Sequence, residues 1–167
     1  MTLEDGEKVE RFFGVMQGLM AERRARFAAH GGSFARSCEK SEGCPAILVV
    51  INGLAAFSDA FPDLEEELIG LVRGSAQVGI FIVAVGETPG SVRMRLKSYF
   101  RQIVACNLPD PSDLIMLFGS LQGAPRPHGY GRGLAKVHDV LCVFQAASLC
   151  SESENEYDTI VRACAAW

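Results

Sequence analysis

Two short stretches hold residue types from which a site could be built. The first is "ILVVING", residues 47–53. An apolar run ends there in a single amide, Asn52, followed by Gly53. A buried strand of a parallel sheet points its C-terminal end at the crevice in which open α/β sheets bind ligands. Asn52 therefore stands where a functional side chain belongs. An amide can hydrogen-bond a water or a nucleotide, but it is a poor magnesium ligand beside a carboxylate. The same residue also suits a strand end whose asparagine caps the next turn. The second stretch is "GYGRGL", residues 129–134. Arg132 lies between Gly131 and Gly133, and glycines permit backbone angles and close approaches that other residues forbid. An arginine held there could clamp a phosphate or carboxylate through two parallel hydrogen bonds. It could equally be a solvated arginine leading into a hairpin.

Other chemistry finds less support. The sequence contains no GxxxxGK[ST] and no GxGxxG after a strand. "GYGRGL" precedes a strand, so it supplies no helix N-terminus for a phosphate. His30, His128 and His138 are scattered, without a carboxylate pair at metal spacing, and no GxSxG elbow occurs. No metal site is expected. Cys38, Cys44, Cys106, Cys142, Cys150 and Cys164 form no CxxC pair and no zinc spacing. They read as reduced thiols of a cytosolic protein. Cys106 and Cys142 sit in apolar runs and are expected to pack as small hydrophobes. Cys38 and Cys44 flank a polar loop and could pair if oxidised. "VRMRLK", 92–97, is a basic face, solvated or facing an acidic neighbouring domain.

Composition bounds the rest. The chain has 167 residues, 49% hydrophobic and 22% charged, which fits one globular domain with a single core. Its net charge is −4, whereas a bulk nucleic-acid binder is usually basic, so no nucleic-acid partner is expected. No charged-then-apolar leader opens the sequence. The apolar stretches fall far short of the roughly 20 residues of a membrane helix.

The elements that must position these residues follow from periodicity. Residues 7–29 predict a helix, with Val9, Phe12, Phe13, Met16, Leu19, Met20 and Phe27 on one stripe and "AERRAR" as its solvated end. A polar loop follows over 33–45. Ala46–Ile51 is a strand without alternation, so both its faces are expected to be buried. "FPDLEEELIGLVRGS" is a helix entered at Pro62. A second buried strand spans 78–86, a short basic helix 90–100 and a third strand 102–108. A helix over 110–119 is capped by Asp110, with Pro111 in its first turn. A hairpin pairs Gly133–Val137 with Val140–Ala147 through the turn "VHD". A last helix is capped by Ser153 or Asn155. This alternation predicts an α/β sheet, mostly parallel, with a C-terminal β-hairpin.

In order and spacing, these pieces resemble the FtsK/SpoIIIE family of hexameric motor ATPases. The likeness is greatest to the C-terminal ATPase domains of its type VII secretion branch, the EssC/EccC proteins. "EKVERFFGVMQGLMAERRARFAAHGG" resembles the helix between the two nucleotide motifs, and "CPAILVVINGLAAF" the Walker B strand. "LEEELIGLVRGSAQVGIFIVAVGET" is similar to the following helix, turn and sensor strand. "RMRLKSYFRQIVACNLPDPSDLIMLFG" and "PHGYGRGLAKVHDVLCVFQAAS" resemble the family's tail. The resemblance implies an incomplete three-layer, RecA-like P-loop fold. Residues 1–167 would form one ATPase-like domain, equivalent to its C-terminal two-thirds. It marks Asn52, Gly53, Glu87 and Thr88 as a degenerate nucleotide site, and Gly131, Arg132 and Gly133 as a partner or phosphate clamp.

Two departures qualify the resemblance. The Walker A strand and loop are missing, and Asn52 and Gly53 stand where the family has aspartate and then an acid or amide. Hydrolysis of Mg·ATP would lose both main electrostatic supports. The resemblance thus implies a non-hydrolysing domain in regulation or partner binding. The alternative is part of an active motor domain whose phosphate loop lies upstream and which powers protein export or, less in keeping with the charge, DNA translocation. No bound cofactor is expected, with ATP and magnesium only if the upstream loop is present. Expected partners are neighbouring ATPase domains of the same protein, secreted protein substrates and a possible homo-oligomer. The domain would be cytoplasmic, in a membrane-anchored parent. In the family the strand of the phosphate loop lies beside the sensor strand, so strand 78–86 would have an open edge. Strand 102–107, or a second chain, is expected to pair there.

Overall fold

The computed structural model describes residues 5–28, 31–39, 44–108, 110–121, 123, 127–147 and 155–165. The chain divides into two compact units, Met1–Arg101 and Gln102–Trp167.

In the first unit, helix α1 (Gly6–Ala28) turns Val9, Phe13, Met16, Met20 and Phe27 inward at three- and four-residue spacing. Arg23 is buried on the same stripe, so "AERRAR" is not wholly a solvated end. Its Nη1 donates to the carbonyl of Val78 at 3.0 Å and its Nη2 to that of Pro45 at 2.9 Å. Gly79 O lies 3.4 Å from Nη1. These carbonyls precede the two strands of this unit, so one guanidinium ties α1 to both strand starts. The segment read as a polar loop contains helix α2 (Phe34–Glu39). Aromatic packing explains the difference, since Phe34 lies 6.2 Å from both Phe27 and Phe81. Strand β1 (Ile47–Asn52) leads through Gly53 into α3 (Leu54–Ala60), which buries Leu54 and Phe57. A short 3-10 turn, Pro62–Leu64, precedes α4 (Glu65–Ser75). Strand β2 (Ile80–Val85) and the short helix α5 (Met94–Lys97) follow. The basic stretch is not simply solvated. Arg93 pairs with Glu65 and Arg95 with Glu66, on the acidic first turn of α4.

β1 and β2 pair in parallel, with Ile47 opposite Ile80 and Asn52 opposite Val85. Burial alternates along both strands. Ile47, Val49, Ile51, Ile80, Ile82 and Ala84 pack on the core that α1 and α4 build. The opposite face is open: Leu48 is 64% exposed, Val50 58%, Phe81 43%, and Val83 and Val85 45% each. The expectation of two buried faces is corrected here. A continuous apolar run shows that a strand can be covered twice, not that a second layer is present.

The second unit holds β3 (Val104–Ala105), α6 (Pro111–Phe118), β4 (Arg132–Val137), β5 (Val140–Gln145) and α7 (Glu156–Ala165). β3, β4 and β5 form an antiparallel sheet in that order. The strand expected over 102–108 shrinks to two residues and pairs with β4, not with strand 78–86. Among the described residues β2 pairs with β1 alone. His138 and Asp139 both adopt positive φ, 46° and 65°, as a two-residue hairpin turn between right-twisted strands requires. Ala105, Leu114 and Leu134 form the core of this unit. Cys106 and Cys142 are exposed rather than packed as hydrophobes, because both lie outside that small core. Cys38, Cys44 and Cys164 are likewise free thiols, while Cys150 and His30 lie outside the described residues. Asn155 Oδ1 caps α7 by accepting from the amide of Tyr157 at 3.0 Å; Ser153, the other expected cap, lies outside the described residues.

Asp110 caps α6 by accepting from the amide of Ser112 at 2.8 Å, and that bond holds its carboxyl below the usual carboxylate value. Its contribution is present above the unfolded-chain pKa and is lost as pH falls through the lower folded value. On acid titration the Ser112 amide resonance should shift with Asp110, and Asp110→Asn should remove that titration while keeping the cap at neutral pH. Arg23→Met should cost about 3 kcal/mol in denaturant unfolding, because buried carbonyls lose a charged donor.

Candidate functional site

The C-terminal ends of β1 and β2 lie side by side. Asn52 is in register with Val85, and the amide of Gly53 donates to the carbonyl of Val85 at 3.2 Å. Asn52 and Gly53 on one strand, and Glu87 and Thr88 just beyond the other, are thus brought to one end of one sheet. Gly53 has φ 81° and ψ 61°, in the left-handed region, and opens α3 without a side-chain cap. The Asn52 side chain is exposed and makes no hydrogen bond among the described residues, so it does not cap the following turn. It shares the open face of the sheet with Val50 and Val85. Beyond β2, the carbonyl of Thr88 accepts from Ser91 Oγ at 2.5 Å and from the Ser91 amide at 3.1 Å. This tight turn, with Pro89 buried beneath it, leaves the side chains of Glu87 and Thr88 exposed. Among the described residues no group of three or more His, Cys, Asp or Glu is placed to hold a metal ion.

An apolar groove of about 670 Å³ runs along the outer edge of β1. Val9, Phe12, Phe13 and Met16 of α1 form one wall, Phe57 adds to it, and Asn52 stands among the lining residues. In a parallel pair every second residue directs both backbone groups to its partner. The bonds from Ile47 to Gly79 and from Gly53 to Val85 fix that phase. The backbone N–H and C=O groups of Leu48 and Val50 therefore point away from β2, toward the groove. Periodicity in the sequence finds the α1 stripe but not this groove, because nothing in it says which edge of β1 is left unpaired.

The glycine-flanked arginine belongs to the second unit. Arg132 Nε donates to Gln145 Oε1 at 3.2 Å across the β4–β5 ladder. Gln145 Nε2 donates in turn to the carbonyls of Tyr130 and Ala146, each at 3.1 Å. The glycines serve packing. A Cβ on Gly131 would lie 2.8 Å from Gln145 Nε2, and one on Gly133 2.6 Å from the Phe144 ring and 2.7 Å from the Ala105 carbonyl. Arg132 is exposed and Gln145 orients its guanidinium, whose two terminal amino groups meet no partner among the described residues. His128 is exposed and His138 sits in the hairpin turn, and neither joins a metal-holding cluster among the described residues. No helix among the described residues is long and apolar enough to cross a membrane.

No protein-family model matches the chain. The ESX secretion system protein EccC of Geobacillus thermodenitrificans (strain NG80-2) is 25% identical over 119 residues, which cover 70% of this chain and 8% of that protein. The structure of EssC (ATPases 2 and 3) from Geobacillus thermodenitrificans superposes with a TM-score of 0.80 at 21% identity, over 95% of this chain and 30% of that one. Thermomonospora curvata EccC (ATPases 2 and 3), in complex with a signal sequence peptide, gives 0.71 at 18% identity, over 95% and 31%. The chain is homologous to the EssC/EccC ATPase domains of type VII secretion, which are FtsK/SpoIIIE-like, and it has their α/β fold. It spans under a tenth of the length of the curated relative.

The two glycine sites should respond differently to a methyl group. Gly53→Ala meets open space and should cost about 1 kcal/mol for the left-handed backbone alone. Gly133→Ala meets a ring and a carbonyl and should cost about 3 kcal/mol, read from chemical denaturation.

Proposed function

We propose that this chain is an ATPase-like domain of a type VII secretion motor that does not hydrolyse ATP and acts by binding partners. The observation that carries the reading is the end of β1. It offers the exposed amide of Asn52 followed by Gly53 in a left-handed conformation. That donor set fits magnesium-bound triphosphate poorly. Hard divalent cations take carboxylate oxygens in preference to an amide, and a carboxylate at position 53 would have to carry a positive φ. Glu87 is the one acid among the candidates, and it lies on the turn beyond β2. ATP and magnesium are accordingly not resident groups in this reading.

The partners are neighbouring ATPase domains of the same polypeptide and secreted proteins. A role in binding a signal sequence is supported by the homologous EccC domains that were solved with such a peptide. Two features of this chain suit partner contact, the oriented but exposed Arg132 and the apolar groove beside β1. The domain would work at the cytoplasmic side of a membrane-anchored parent.

A second reading is favoured by coverage, since the chain matches 8% of its curated relative. The same strand ends would then belong to an active motor domain whose phosphate loop is contributed by residues before this segment.

Thermal unfolding with and without millimolar Mg·ATP, of this chain and of a longer segment that includes the residues before it, separates the two. The non-hydrolysing reading expects no change in midpoint for the wild type. A ligand at about 100 times its dissociation constant adds roughly 2.7 kcal/mol, which is a shift of several degrees for a domain of this size. Such a shift in either protein, reduced by Asn52→Ala, would overturn the reading; a shift in the longer segment alone would favour the second.

A further inference from the structure

We propose that the Asn52–Gly53 link is a modification site at which the asparagine deamidates, so that the end of β1 acquires an aspartate as the protein ages. The modification consumes only water, and it stands whether or not nucleotide binds at the strand ends.

Intramolecular deamidation of asparagine starts from the peptide nitrogen of the residue that follows it. That nitrogen must reach the side-chain amide carbon, and three observations favour this at position 52. Glycine has no Cβ to shield its nitrogen, and a Cβ built on Gly53 would meet nothing within 4 Å, so the space around the link is open as well. The Asn52 side chain is exposed and makes no hydrogen bond among the described residues. The Gly53 N–H donates to the Val85 carbonyl at 3.2 Å, which closes the ladder where both strands end. That length is at the outer end of ordinary N–H···O bonds, and bonds at the ends of elements open most readily. The two other asparagines differ. Asn107 is exposed but is followed by Leu108. Asn155 is followed by Glu156, and its Oδ1 is held by the Tyr157 amide at 3.0 Å.

The reaction begins when the bond to Val85 opens and Asn52 turns out of its extended conformation. Hydroxide removes the Gly53 amide proton, and the nitrogen attacks Cγ of Asn52. The Cγ–Nδ2 bond breaks, ammonia leaves with a proton from water, which restores the hydroxide, and a succinimide ring closes. Water then opens the ring. Cleavage of the new bond, from Gly53 N to Cγ, leaves aspartate on the original backbone. Cleavage of the old peptide bond leaves isoaspartate, with an extra methylene in the main chain. Either way the net change is water consumed and ammonia released. The aspartyl product keeps the ladder and places a carboxylate, a better ligand for hard cations than an amide, where Asn52 stands. The isoaspartyl product lengthens the link to Leu54, which is 1% exposed at the start of α3, so the packed helix opposes it.

Timed incubation of the folded protein at mildly alkaline pH, followed by peptide mapping with mass spectrometry, tests the site. The expected result is conversion at Asn52 roughly tenfold faster than at Asn107 or Asn155, because only Asn52 precedes a residue without a Cβ. The product should include aspartate. Asn52→Gln should abolish the conversion, because the longer side chain closes a ring far less readily. Its circular dichroism spectrum should be unchanged, because the side chain is exposed. The same chain unfolded in guanidinium chloride should convert faster still, since the Gly53 nitrogen is then released from Val85. Asn52 left intact in the folded protein, over a period in which the unfolded chain converts, would overturn the proposal. So would conversion at one rate at all three asparagines, or isoaspartate as the sole product at position 52.

Discussion

The first unit is organised by one buried cation. The guanidinium of Arg23 reaches from α1 to the carbonyls of Pro45 and Val78, immediately before the two strands. It has no carboxylate partner in these contacts; neutral backbone dipoles hold it instead. A buried charge is tolerated only when it is hydrogen-bonded, so these bonds leave α1 little freedom to slide along the sheet. Its axial position in turn decides which apolar residues meet β1 and β2 and which overhang the edge. Met20 and Phe27 go into the core alone, while Val9, Phe12, Phe13 and Met16 also wall the groove beside β1.

From that anchoring comes the asymmetry of the sheet. The start of each strand is fixed by a cation, and the end of each strand carries a turn that exposes its polar residues. One face rests on α1 and α4 and the other is bare. Among the described residues, unusual features thus concentrate on a single small sheet: an exposed apolar face, an unpaired edge beside a groove, and a strand end whose side chain is an amide.

Much of this was legible in the residues. The stripe of α1, the two parallel strands, the cap at Asp110 and the hairpin about His138 and Asp139 all follow from local periodicity and turn chemistry. What escaped were features set by distant contacts. Helix α2 exists because Phe34 finds Phe27 and Phe81, and no local pattern in "SFARSCE" announces that. Arg23 looks solvated in a run of arginines, and only its position on the apolar stripe hints otherwise. The bareness of one sheet face was hidden because strands covered once and strands covered twice can share the same apolar run. At the candidate site, Asn52 and Gly53 could be picked out from their place at a strand end. The left-handed backbone of Gly53 and the free amide of Asn52 could not.

That backbone sets Gly53 apart from Asn52 in what a substitution costs. A change from Asn52 to aspartate exchanges one polar side chain for another of the same shape on an extended strand. Any side chain at position 53 must instead adopt a positive φ or shift the start of α3. At position 53 the same exchange carries the cost of a left-handed backbone, about 1 kcal/mol in otherwise open space, so two neighbouring positions differ in substitution cost by conformation alone.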